Sequence, residues 1–194
     1  DEDLAWLKRK YRGTKIVARS GEGTSSKSLE RVAHQFSKSV VILSPEDDSF
    51  PDFWVMKVAL ALTKRPDRKP GNHNIVAELK NRESLETARL IGEGEARWIL
   101  EPDVLAKLMV QTSRSAGLTS VVRDLLDYEG DEIYLKAVPE VFGKTFSEAT
   151  RFFENCTPIG VSARSEVVLN PLPDRIISED DELVVLAEDD SLVN

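Results

Sequence analysis

The sequence predicts an α/β fold, with a parallel sheet in its first half, on three observations. Short apolar runs alternate with helix-patterned segments from Thr14 to Leu100, the sequence form of a parallel sheet joined by crossover helices. Two apolar helical stripes follow between Asp103 and Asp127. Beyond them the texture turns β-rich, as expected of a second, smaller α+β lobe. The expected organisation is an N-lobe over residues 1–102, a helix pair over 103–127 and a C-lobe over 128–194.

In chain order, Leu4, Leu7 and Tyr11 carry a three-and-four spacing that predicts a helix over Asp1–Arg12, ended by Gly13. Thr14–Arg19 reads as a strand, Ser20–Ser26 as a loop and Ser28–Phe36 as a short helix. Ser39–Leu43 is nearly all apolar, which predicts a strand covered on both faces. Pro51 is placed to open a helix running to about Leu62. Lys64–Asn74, with two prolines and a glycine, reads as a loop. Asn74–Leu79 is the next strand, and Glu83–Ile91 a helix with Leu85, Ala88 and Leu90 on its apolar side. Ala96–Leu100 is the fourth strand.

The two stripes are Val104, Leu105, Leu108 and Met109, then Val121, Val122, Leu125 and Leu126, with a break at Ala116-Gly117. They suit either the chain's own core or a partner subunit. In the C-lobe, Ile133–Val138 reads as a strand and Thr145–Glu154 as a helix bearing Phe146, Ala149, Phe152 and Phe153. Ile159–Ala163 and Val167–Leu169 flank a charged turn, and Leu183–Ala187 closes the lobe. A unit this small has a thin core and is expected to lean on something else.

Composition narrows the function classes. The 194 residues carry 26 Lys+Arg against 34 Asp+Glu, so the formal net charge is 26 − 34 = −8. That balance argues against a nucleic-acid surface, which needs clustered cations. The longest uncharged apolar runs, Val40–Leu43 and Leu183–Ala187, fall far short of the ~20 residues of a membrane-spanning helix. One cysteine, Cys156, excludes an internal disulfide and a cysteine zinc site. The chain opens on Asp1 rather than Met, and is expected to be part of a longer polypeptide.

The residues assemble no catalytic set. No G-x-G-x-x-G, Walker, G-x-S-x-G or H-E-x-x-H motif occurs. Gly21-Glu22-Gly23 follows the Thr14–Arg19 segment, but Glu22 repels phosphate, so nucleotide binding is not expected. His34 and His73 read as solvated, Cys156 as a partly buried structural thiol. No enzyme activity is expected. The candidate ligand site is acidic: Glu46, Asp47 and Asp48 follow one strand and Glu78 ends the next, at the carboxyl edge where open α/β sheets bind ligands. Glu101 and Asp103 lie beyond the following strand. Gathered carboxylates suit Ca²⁺, which takes six to eight oxygens. The plainer reading is a solvated rim, with Asp48 and Asp52 near a helix N-terminus. The runs Glu179–Glu182 and Glu188–Asp190 read as a turn and a C-terminal rim.

Several segments in order resemble the regulatory domains of Castor/Pollux-type ion channels, within the RCK or TrkA-like group. They are Gly13–Gly21, Ser39–Leu43, Ile75–Leu79, Val104–Gln111, Val168–Pro171 and Asp181–Asp190. The resemblance implies a Rossmann-like N-lobe lacking its first strand–turn–helix, a crossover helix pair and a small α+β C-lobe. It also implies an oligomer: a dimer through the crossover helices, and in the full protein a ring attached to a membrane pore domain of the same chain. The implied function is ligand-responsive gating of a K⁺ or Ca²⁺ channel from the cytoplasmic side of a membrane, without catalysis and without nucleic acid. Calcium-gated relatives imply metal ligands at Glu46, Asp47, Asp48 and Glu78, although Lys80 stands where a further carboxylate is expected. Two alternatives remain at this point: a nucleotide-responsive regulatory subunit of a potassium uptake system, and a truncated nucleotide-dependent oxidoreductase.

Overall fold

A computed structural model describes residues 2–11, 13–64, 73–92, 94–127, 130–164 and 166–193. The chain divides into two compact units, Asp1–Met109 and Val110–Asn194. Most of the loop expected at Lys64–Asn74 lies outside the described residues.

In the first unit, helix α1 (Glu2–Lys10) precedes α2 (Ser26–Arg31), strand β1 (Val40–Ile42), α3 (Pro51–Thr63), β2 (Ile75–Leu79), α4 (Ser84–Gly92) and β3 (Ala96–Leu100). The three strands form a parallel sheet in the order β1-β2-β3, with Ile42 paired to Ala77 and Leu79 to Leu100. Proline opens α3, where its missing N–H costs nothing. Val55, Ala59 and Leu62 of α3 pack on Ile42, Ile75 and Ala77 of the sheet. Met56 joins Leu79, Ala88 and Leu100 in a second cluster that docks α4. Both crossovers thus cover one face, as right-handed β-α-β connections running in one direction require.

Four expectations change here. Thr14–Arg19 joins no strand ladder among the described residues: Thr14 lies in a bend, its N–H donating to the Tyr11 carbonyl, and no strand forms over Lys15–Arg19. A strand exists only through a partner's hydrogen bonds, and no described strand offers them to this segment. Ser39–Leu43 is covered on one face, not two: Ile42 is buried, whereas Val41 and Leu43 are 64% and 69% exposed. The helix expected at Ser28–Phe36 ends at Arg31, and a 3₁₀ turn over His34–Phe36 follows Ala33, whose φ is 51°. Leu90, expected on the apolar side of its helix, is 80% exposed; Leu85 packs beside Ala88 as expected, and Ile91 takes the place given to Leu90.

The helix pair is as expected. Helix α5 (Glu101–Arg114) and helix α6 (Leu118–Leu126) are separated at Gly117, whose φ of 94° suits glycine. The division between the units falls within α5.

The second unit holds an antiparallel sheet of β4 (Glu132–Lys136), β5 (Thr157–Ala163), β6 (Glu166–Leu169) and β7 (Asp181–Ala187) in the order β4-β7-β5-β6. Its core gathers Val141, Ile177, Leu183 and Val185 with Phe146 and Ala149 of the one-turn helix α7 (Phe146–Ala149). Thr145 and Glu148 form a capping box at the start of α7. The helix expected over Thr145–Glu154 stops after that turn; Phe152 is exposed, edge-on to Phe153, which packs partly buried against the core. Asp181, expected in a solvated run, is buried at the start of β7. Its carboxylate accepts from Ser178 N–H (2.8 Å) and from Arg175 Nη2 (3.0 Å). Burial pushes the Asp181 pKa up, but these donors outweigh it and hold the group below the ordinary carboxylate value.

Candidate functional site

The carboxyl edge of the parallel sheet carries a network built by strand register. Leu79 pairs with Leu100, so the next residues, Lys80 and Glu101, emerge side by side from strands about 4.8 Å apart. Lys80 Nζ lies 2.6 Å from Glu101 Oε2 and 2.8 Å from Glu78 Oε1. Glu78 and Lys80 are two apart at a strand end, which puts them on one face. The other Glu78 oxygen, Oε2, accepts from Ser44 N–H at 2.8 Å, tying β2 to the turn after β1. Beside this, Arg82 Nη2 pairs with Asp103 in the first turn of α5.

Asp52 is the buried anchor below the network. It projects from the first turn of α3, where Oδ1 accepts from Lys80 N–H (2.7 Å) and Oδ2 from Asn81 N–H (2.9 Å) and Asn81 Nδ2 (3.1 Å). Burial raises the Asp52 pKa, yet bonds from Lys80 N–H, Ser84, and Asn81 together overcome that and lower it. For Glu78 the Lys80 side chain, then Ser44 N–H, lowers the pKa. Glu101 first and Glu78 second raise that of Lys80 well above the ordinary lysine value. All three groups stay charged at neutral pH.

The predicted acidic residues fall into two groups. Glu46, Asp47 and Asp48 lie exposed in the turn after β1. Asp48 Oδ1 accepts from Phe50 N–H at 2.8 Å, a local turn bond leading into α3. Glu78 is half-buried and engaged by Ser44 and Lys80. Among the described residues, no group of three or more His, Cys, Asp or Glu side chains is placed to hold a metal ion. Lys80 and Asp52 organise this edge. Sequence reasoning gave Lys80 only an opposing role and Asp52 only a dipole role; the i,i+2 spacing of Glu78 and Lys80 was the available signal.

The other candidates have structural roles. His34, expected to be solvated, is 4% exposed, with Nδ1 3.1 Å from the Leu29 carbonyl oxygen. The turn after α2 closes over it. Cys156 is partly buried beside the second unit's core, and burial raises its thiol pKa, the reverse of what a nucleophile needs. Two further surfaces are apolar. One is a cavity of about 380 Å³ between the uncovered sheet face and the start of α5, lined by Val41, Leu43, Val76, Ile99, Leu105 and Leu108 among others. The second is the helix pair: no residue of α5 or α6 is buried, and Met109, Val110, Val121 and Leu126 are exposed. Among the described residues no helix is long and apolar enough to cross a membrane.

Comparison with known proteins bears out the resemblance read from the sequence. Residues 102–194 match the family model described as Castor and Pollux, part of voltage-gated ion channel. Over 193 residues the chain is 30% identical to the probable ion channel POLLUX of Arabidopsis thaliana, covering 98% of this chain and 23% of that protein. It is 29% identical over 194 residues to the probable ion channel CASTOR of Oryza sativa subsp. japonica, covering 98% of this chain and 22% of that one. The chain thus spans under a quarter of these relatives. Among solved structures, the human SLO3 gating ring shares the fold, with a TM-score of 0.67 at 15% identity, over 90% of this chain and 36% of that one. These relatives are named as channels, not enzymes.

Proposed function

We propose that this Castor/Pollux-like chain is a regulatory domain of a cation channel, of the gating-ring kind, acting without catalysis from the cytoplasmic side of a membrane. The observation that carries the reading is the helix pair. It begins directly at the end of β3, is bound to the sheet's carboxyl edge through Glu101 and Asp103, and leaves its apolar residues unburied. A helix with apolar residues and no buried side chain stabilises little by itself, so its apolar surface is a reserve for association. In this reading a second copy covers α5 and α6, dimers build a ring, and a ligand that shifts the carboxyl edge moves α5. The pore belongs to the same polypeptide and passes K⁺ or Ca²⁺.

The test has two arms. Light scattering on the chain is expected to give at least a dimer, and the Met109→Glu, Leu126→Glu pair a monomer, because a buried unpaired carboxylate opposes association strongly. A wild-type monomer at high concentration refutes the interface. In the full-length protein reconstituted in bilayers, the same pair is expected to alter gating of K⁺ or Ca²⁺ currents. Currents with unaltered gating refute the regulatory role.

A further inference from the structure

The chain holds two histidines, and folding brings them together. His34 stands in the turn that leads into β1 and His73 two residues before β2, at the amino edge of the parallel sheet. This is the edge opposite the Lys80 network. Their ring centroids lie 6.0 Å apart, with the ring planes tilted by 37°. The left-handed backbone at Ala33 folds the end of α2 back, and His34 Nδ1 comes within 3.1 Å of the Leu29 carbonyl oxygen. A carbonyl oxygen only accepts, so Nδ1 carries the proton and the lone pair of the neutral ring sits on Nε2. His34 Nε2 is buried and has no hydrogen-bond partner among the described residues. A buried polar atom left in that state is rare, and a bound ion is one of the few things that accounts for it.

From this geometry we propose that His34 Nε2 and a ring nitrogen of His73 bind one transition-metal ion, Zn²⁺ before others. Rings that share a hydrogen bond directly have centroids at most about 5.5 Å apart. Two imidazoles on one ion, each bonded at about 2.0–2.1 Å, place their centroids about 5–6.5 Å apart. The observed spacing of 6.0 Å falls in the second range. The proton side of His34 is arranged as metal-bound histidines are, with the other ring nitrogen donating to a backbone carbonyl. Charge is available as well: Glu95 Oε2 accepts from His73 N–H at 2.9 Å, which sets a carboxylate beside the pair. Ser37 and Ser39 line the same cavity as His34, so water can complete the coordination. Imidazole nitrogens suit Zn²⁺, Cu²⁺ or Ni²⁺, whereas Ca²⁺ and Mg²⁺ take oxygen ligands. The site is therefore distinct in chemistry from the acidic carboxyl edge, and it is independent of the α5–α6 interface. A bound ion clips the turn before β1 to the segment before β2.

The experiment is calorimetric titration of Zn²⁺ into the metal-stripped 194-residue chain, with thermal melts in Zn²⁺ and in Mg²⁺. The expected result is one Zn²⁺ per chain and a Tm that rises with Zn²⁺ but not with Mg²⁺. Co²⁺ in place of Zn²⁺ is expected to gain the visible absorption of a nitrogen-ligated ion. His34→Asn keeps an N–H for the Leu29 carbonyl and removes Nε2, and His73→Gln removes the second ring. Each is expected to weaken Zn²⁺ binding by about tenfold or more. Metal-free melts report whether the variants fold; should His34→Asn fail to, the partly exposed His73→Gln decides the question alone. A folded wild type that takes up no Zn²⁺ overturns the proposal. So does Zn²⁺ binding that a folded variant retains undiminished, which places the ion elsewhere on the surface.

Discussion

Lys80 and Glu101 stand one residue beyond the ends of neighbouring parallel strands, and their side chains meet at 2.6 Å. Because Glu101 is also the first residue of α5, this pair ties the sheet to the helix that leaves it. Lys80 supplies the positive charge that the carboxylates at this edge would otherwise take from solution.

Replacing Lys80 with Met should therefore loosen the start of α5, seen as faster amide exchange over residues 103–108. It should also leave Glu78 and Glu101 as unneutralised neighbours, which a divalent cation relieves. In thermal melts with Ca²⁺ titrated against Mg²⁺, the wild type is expected to show no Ca²⁺-specific shift and Lys80→Met a rise in Tm. A Ca²⁺ response in the wild type that Glu78→Gln abolishes would support the metal reading of Glu46, Asp47, Asp48 and Glu78.

Asp52 and Glu78 should make the first unit acid-sensitive. Both have folded pKa values below their unfolded ones. Their contribution is complete above the unfolded values, near pH 4, and is lost as pH falls through the lowered folded ones. Urea unfolding between pH 6 and pH 3 is expected to show this loss. Asp52→Asn should be less stable at pH 6 and flatter across the range; an unchanged slope refutes the assignment.

The core of the first unit turns on Leu62, which is 1% exposed between α3 and the sheet. Leu62→Ala is expected to cost about 2–5 kcal/mol in denaturant unfolding, from lost burial plus the cavity left behind. A cost under 1 kcal/mol would mean the site collapses or the packing is wrong.

Gly117 is the break between α5 and α6, with φ at 94° and open space where a Cβ would stand. Gly117→Ala is expected to cost about 1–2 kcal/mol from backbone strain alone. An Ala variant as stable as the wild type would argue that the two helices run on as one.

What was legible in the chain follows what each residue could do with its near neighbours. Ile75–Leu79 and Ala96–Leu100 read as strands because their apolar content and flanking turns define them locally, and both formed. Pro51 and Gly117 marked a helix start and a break through their own φ preferences. Thr14–Arg19 has the same local composition as a strand, yet its fate depended on a partner that sequence position does not reveal. His34 and Asp181 are polar residues with no local sequence pattern that marks burial, so only folding could show them buried.

By itself the sequence determined the α/β class, the helix pair with its apolar residues and the likeness to Castor and Pollux channels, because those depend on local periodicity and on ordered segments. The tertiary structure decided the candidate site. Carboxylates read as a gathered cation site are in part exposed turn residues, and in part spoken for by Lys80, whose position beside Glu101 comes from the β2–β3 register. It also decided which faces are covered. Val41 and Leu43 read as interior residues, but coverage is a property of what packs across a strand, and across this one only the α3 side is packed.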